Sequence, residues 1–90
     1  MPEYVHPQIE AVADSPNKES ALEVVLVPAE GHAESVRTAL SEYAIGDIDE
    51  TASGMFVTYV AEPHMDAVRQ IDGLVSISPN TSQEAMGQGN

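Results

Sequence analysis

Two short apolar runs, Leu22–Val27 and Met55–Val60, constrain this chain more than any other feature. Both are rich in β-branched residues and apolar at consecutive positions, so each reads as a strand with apolar side chains on both faces. The first stops at Pro28, and the second runs out before Pro63. The longest aliphatic stretch, Val24-Val25-Leu26-Val27, is far below the roughly 20 residues of a membrane span. Two strands that are apolar on both sides must sit inside a layered domain, and the segments between them supply the layers.

After the connection Pro28-Ala29-Glu30-Gly31, residues Ala33, Val36, Leu40 and Tyr43 (or Ala44) recur at helical spacing. Glu34, Arg37, Ser41 and Glu42 face away from that stripe. Gly46 is the expected left-handed cap of this helix. Ile48 to Thr51 reads as a weak acidic strand, and Ser53-Gly54 turns it into the second apolar strand. Pro63 suits the first turn of a second helix that presents Met65, Val68 and Ile71 on one face and ends at Gly73. Leu74 then makes the apolar contact that accompanies a glycine cap, and Val75 to Ser78 forms a last strand stopped by Pro79. The expected fold is α+β: a ferredoxin-like βαββαβ sandwich with a four-stranded antiparallel sheet and two helices on one face.

Residues 1–20 carry Pro2, Pro7 and Pro16 and a polar run from Asp14 to Ser20. Val5, Ile9 and Val12 are spaced for a short helix after Pro7, marginal on its own. The domain organisation is therefore an N-terminal arm over 1–20, partly disordered or a short helix, a ferredoxin-like domain over 21–82, and a flexible tail over 83–90.

Fifteen Asp/Glu stand against three Lys/Arg, a formal net charge of -12. Nucleic-acid phosphates and anionic lipid surfaces are bound through Lys/Arg, and Lys18, Arg37 and Arg69 are all this chain offers. Those two partner classes are excluded. The acids Glu34, Glu42, Asp47, Asp49, Glu50, Glu62, Asp66 and Asp72 are dispersed, as in a uniform acidic coat rather than a mimic of a phosphate backbone. An acidic load with almost no lysine suits a halophilic cytoplasm, where hydrated carboxylates keep the surface soluble. There is no Cys for a disulfide or a thiolate metal site, and only Tyr4, Tyr43, Phe56 and Tyr59 are aromatic. The N-terminus lacks a basic start followed by an apolar block, so the expected location is cytoplasmic.

Catalytic patterns are missing. His6, His32 and His64 have no metal-ligand spacing, and Asp47-Ile48-Asp49-Glu50 lacks the alternation of a calcium loop and reads as a solvated edge strand. No serine sits in a strand-to-helix elbow, and glycines 31, 46, 54 and 73 fall one to a turn, so no phosphate-cradling loop is present. The expectation is a non-enzyme with no cofactor and no metal.

Function then points to the sheet. Two helices cover one face, and the apolar residues of the strands supply both, so the other face meets the arm, meets a partner or stays exposed. The candidate partner-binding residues on it are Val25 and Val27 from the first strand and Phe56 and Val60 from the second. Val5, Ile9 and Val12 are the candidates for covering it from the arm. The expected function is a small interaction module acting through its open face on a protein partner or as a homodimer.

The runs Gly54-Met55-Phe56-Val57-Thr58-Tyr59-Val60 and Met65 to Ile77 resemble the propeptide-like inhibitors of subtilisin proteases. Those domains share the strand-helix-strand-strand-helix-strand order. Here Met55 stands between Gly54 and Phe56, and Asp72-Gly73-Leu74-Val75 takes the place of a proline-glycine-valine turn. The resemblance implies a stand-alone inhibitor or folding helper of a subtilisin-like protease. The sheet would dock on the enzyme, and Ser78-Pro79-Asn80-Thr81-Ser82 would lie in its cleft like a substrate. That adds Pro79, Asn80 and Thr81 to the candidate partner-binding residues.

Overall fold

A computed structural model describes residues 4–80. The elements in chain order are β1 (Tyr4–Val5), α1 (Pro7–Asp14), β2 (Ala21–Pro28), α2 (Ala33–Ser41), β3 (Ala44–Glu50) and β4 (Phe56–Ala61). A 3₁₀ turn (Glu62–His64), α3 (Met65–Val68) and β5 (Leu74–Pro79) follow. The five strands form one sheet in the order β1-β5-β2-β4-β3. β2 pairs antiparallel with both β4 and β5, β3 pairs antiparallel with β4, and β1 lies parallel to β5.

The α+β class agrees with the sequence pattern, whereas four strands and two helices become five strands and three helices. The additions come from the segment expected to be an arm. A two-residue strand is too short for periodicity to reveal, and α1 is held by contacts outside itself. Its first turn is capped by His6, whose Nδ1 accepts a hydrogen bond from the Gln8 amide at 3.0 Å, and Pro7 occupies the first helical position. Ile9 is completely buried in the same apolar cluster as Val24, Leu26, Val36 and Val68. The Asn17 amide donates to Glu62 Oε1 at 2.9 Å, and the Glu62 amide donates to the Ser20 carbonyl at 2.9 Å, which ties the α1–β2 connection down.

Strand alternation divides the sheet. Leu22, Val24 and Leu26 of β2 lie opposite Val60, Thr58 and Phe56 of β4, and all of these point toward the helices. Leu26 also lies opposite Ile77 of β5, and Val36, Leu40, Met65, Val68 and Ile71 close the core from above. Because Ile9 belongs to this cluster and α1 packs on α3 and β5, the N-terminal segment joins the helical layer. Contrary to expectation, Val5, Ile9 and Val12 do not cover the opposite face. Val5 lies beside the buried Ile77, and Val12 packs against the core.

The region of Gly46 also differs from the sequence reading. Helix α2 ends at Ser41, and Gly46 lies inside β3, which begins at Ala44 instead of Ile48. The register passes from Ile45↔Tyr59 to Asp49↔Val57, so three residues of β3 stand opposite Thr58 alone. Gly46 takes φ +78° in this bulge, a left-handed conformation that a side chain resists. The bulge has a second effect. Thr58 is the one buried polar side chain among the described residues, and its hydroxyl donates to the displaced Asp47 carbonyl at 3.1 Å. The expected second helix, α3, ends at Val68, so Ile71 and Gly73 lie in the turns after it and Gly73 is not its cap. Gly73 still takes a left-handed φ of +91°, and its carbonyl accepts from the Ala29 amide at 2.6 Å. The tail 83–90 lies outside the described residues.

Candidate functional site: the open sheet face

The residues that alternate with the core positions lie on the face away from the helices. Three cross-strand rows can be followed. In the first, Tyr4 stands beside Ser76, which stands beside Val27. In the second, Ser78, Val25, Val57 and Asp49 run from β5 to β3. In the third, Glu23, Tyr59 and Ile45 run from β2 to β3. Neighbours in such rows have Cβ atoms about 4.5–5.5 Å apart, so each row is a continuous strip of contact surface.

Three large apolar side chains are exposed among the described residues: Tyr4 at 51%, Ile45 at 51% and Tyr59 at 50%. All three occupy this face. Val25, Val27 and Val57 lie between them, half-buried by their neighbours in the sheet. Scattered exposed apolar residues are ordinary, but their concentration on one face of one sheet marks a contact surface. The charged outward positions, Glu23 and Asp49, are both acidic. The arginines lie elsewhere: Arg37 on α2 approaches Glu50 at 3.8 Å, and Arg69 beside α3 pairs with Asp66 at 2.6 Å.

The sequence-derived candidates are distributed unevenly over this geometry. Val25 and Val27 are on the open face. Phe56 and Val60 are not; they are 1% and 0% exposed, in the core. The alternation of β4 is opposite to the one expected, and Val57 and Tyr59 take the outward positions. One signal favours this phase. Phe56 is the only phenylalanine in the chain and has no polar atom to satisfy, whereas a buried Tyr59 would need a partner for its hydroxyl. Ile45 and Tyr4 escape sequence reading because one precedes a bulge and the other lies in a two-residue strand.

Pro79 is also a core residue, buried opposite Val24. Asn80 is half-buried, and its amide donates to the Glu23 carbonyl at 2.9 Å. Thr81 lies outside the described residues. The end of β5 is thus bound to β2 through Asn80.

The histidines have local structural contacts. His6 caps α1, the His32 side chain packs against Gly73, and the His64 ring lies 5.5 Å from that of Tyr43. Among the described residues no three His, Cys, Asp or Glu side chains gather in metal-binding range. No helix among them is long and apolar enough to cross a membrane. The fold and the face together define a small acidic α+β protein with a sheet surface that the described residues leave uncovered. Compared with family models, curated proteins and solved structures, the chain shows no match.

Proposed function

We propose that this chain is a small non-enzymatic interaction module that binds a protein partner through its open sheet face. The observation that carries this reading is the placement of Tyr4, Ile45 and Tyr59, the three exposed large apolar side chains, on that one face. The side-by-side order of β5, β2, β4 and β3, with their antiparallel pairing, supports reading them with α2 and α3 as a ferredoxin-like βαββαβ unit. On this reading β1 and α1 are an N-terminal addition to that unit. The acidic coat fits a protein of a salt-rich cytoplasm.

The alternative, a subtilisin-type protease inhibitor, draws on the same open face for docking. Its second element, a substrate-like segment from Ser78 to Ser82, has less support. Pro79 is buried, and the Asn80 amide is held by Glu23. Incubating the chain with a subtilisin-type protease at micromolar concentration tests it, and undiminished protease activity rejects it.

The interaction reading requires that the face be uncovered in the free chain. The double variant Ile45→Thr/Tyr59→Thr keeps strand-favouring residues while removing the apolar bulk. It is expected to unfold within about 1 kcal/mol of the parent in denaturant. In a dilute sample shown to be monomeric, a loss of about 3 kcal/mol or more, the scale of a core truncation, would show that the face is packed within the chain itself and would overturn the reading.

A further inference from the structure

We infer that the occupant of the open face is a basic amphipathic helix of another protein, and not a second copy of this chain; this rests on the interaction reading above. The first support is charge complementarity. The outward positions carry the carboxylates of Glu23 and Asp49, Asp47 and Glu50 are exposed along the adjacent edge strand, and none of the outward positions is Lys or Arg. Two such faces brought together would bury apolar rows while apposing only acids, each copy carrying a formal charge of -12. An apolar surface fringed by Lys/Arg removes that conflict, and charge pairs inside a contact are screened by salt much less than exposed ones.

The second support is shape. The apolar outward positions extend from Ile45 on one edge strand to Tyr4 on the other, across the four spacings of a five-stranded sheet. With about 4.8 Å per spacing and the offset from Val27 to Glu23 along β2, about 13 Å, this is roughly 23 Å, the length of a helix of about 16 residues. An α-helix is also how the chain covers its other face, with α2 carrying Val36 and Leu40 into the core. The partner's helix would set its apolar stripe over Val25, Val57 and Tyr59 and its basic flanks toward Glu23 and Asp49.

The experiment uses the full chain at about 0.1 M salt, where the Debye length is about 10 Å. Fluorescence anisotropy follows three labelled peptides of about 18 residues, roughly five helical turns. One places Leu and Lys at amphipathic spacing, one replaces Lys by Glu, and one keeps the Lys but replaces Leu by Gly. The Leu/Lys peptide is expected to bind at least about tenfold more tightly than either control, a difference of about 1.4 kcal/mol. Ile45→Thr/Tyr59→Thr should remove most of that advantage. Glu34→Gln/Glu42→Gln, which removes two negative charges on and just after α2 and leaves the open face intact, should change it less than about twofold. Equal binding of the Lys/Gly peptide, or equal effects of the two double variants, would reduce the binding to bulk attraction and overturn the inference. A concentration-dependent dimer in light scattering that Ile45→Thr/Tyr59→Thr abolishes would make a second copy the occupant. That result would overturn this inference while leaving the interaction reading standing.

Discussion

Truncating Phe56 and Tyr59 separately, three positions apart on β4, tests which side of the sheet is the core and which is the contact surface. Phe56 is 1% exposed and is the largest fully buried side chain, set among Leu26, Leu40 and the other members of the central cluster. Phe56→Ala removes a ring from a site where the neighbours cannot fully collapse, and such truncations cost about 3–5 kcal/mol. A domain of this size is stable by only about 4–14 kcal/mol, at roughly 0.05–0.15 kcal/mol per residue. The midpoint of thermal unfolding, moving about 4–8 °C per kcal/mol, should therefore fall by roughly 12 °C or more. Tyr59, 50% exposed, stands between Glu23 and Ile45 on the outward face. Tyr59→Ala loses cross-strand contacts worth up to about 1 kcal/mol. Circular dichroism melts, together with guanidinium titrations that confirm a common m-value, read both variants on one scale. If Tyr59→Ala is as destabilising as Phe56→Ala, the assignment of the two faces is wrong and the open-face argument fails with it.

Ile9→Ala should cost about 2–4 kcal/mol by denaturant titration, because α1 contributes to the main core, and parent-like stability would mean that α1 is not docked. At Gly73 (φ +91°) a Cβ would lie 2.8 Å from the His32 Cβ, so Gly73→Ala should lose about 2–3 kcal/mol. His32→Gly, which removes the opposing Cβ, should recover part of that loss in a double-mutant cycle, and His32→Ala should not. Thr58→Val, which deletes the hydroxyl donated to Asp47, is expected to lower stability by about 1 kcal/mol with no change in fold by circular dichroism. If the acidic coat is an adaptation to salt, the unfolding midpoint will fall steadily as salt is lowered from about 2 M to about 0.05 M, where carboxylate repulsion is least screened. An unchanged midpoint counts against that origin of the charge.

The parts legible in the sequence were those fixed by local pattern. β2 and β4 announce themselves by β-branched runs, α2 by the Val36 and Leu40 stripe, and the turn into β5 by Gly73 and Leu74. Each needs only its own residues and an apolar surface to face. The misread parts depend on the rest of the molecule. The phase of β4 is ambiguous because Phe56, Val57, Tyr59 and Val60 are all apolar enough for either side; the Leu26↔Phe56 and Val24↔Thr58 pairing settles it. Gly46 looks like a helix cap because a glycine a few residues past an amphipathic stripe usually is one. In the fold, a bulge that feeds a carbonyl to Thr58 uses the same left-handed conformation. α1 carries a weak apolar stripe and becomes a helix because Ile9 has a core to enter and His6 a free amide to cap. For the site, Val25 and Val27 were readable from β2 alone, while Tyr59, Ile45 and Tyr4 required the register.

The treatment of the two sheet edges explains why the face, rather than an edge, is the surface left for association. An exposed strand edge offers unpaired N–H and C=O groups to any extended chain, and proteins blunt such edges with charge, bulges or brevity. β3 carries Asp47, Asp49 and Glu50 exposed along it and is broken by the bulge at Gly46. At the other edge β1 is described over Tyr4–Val5, and after it the His6 amide donates to the Ile77 carbonyl. The chain then turns at Pro7 into α1 and leaves the edge. Past β1, β5 ends in Pro79, which has no N–H to give, and in Asn80, whose N–H is already bonded to Glu23. Strand addition, the mode a substrate-like segment would use, therefore meets obstruction at both edges among the described residues. Among the described residues no such device protects the face. Its outward rows hold Tyr59 and Ile45 against Val57 and Val25 with no covering loop among the described residues, and the carboxylates of Glu23 on the central strand and Asp49 on the edge strand flank them, where they can meet a cation.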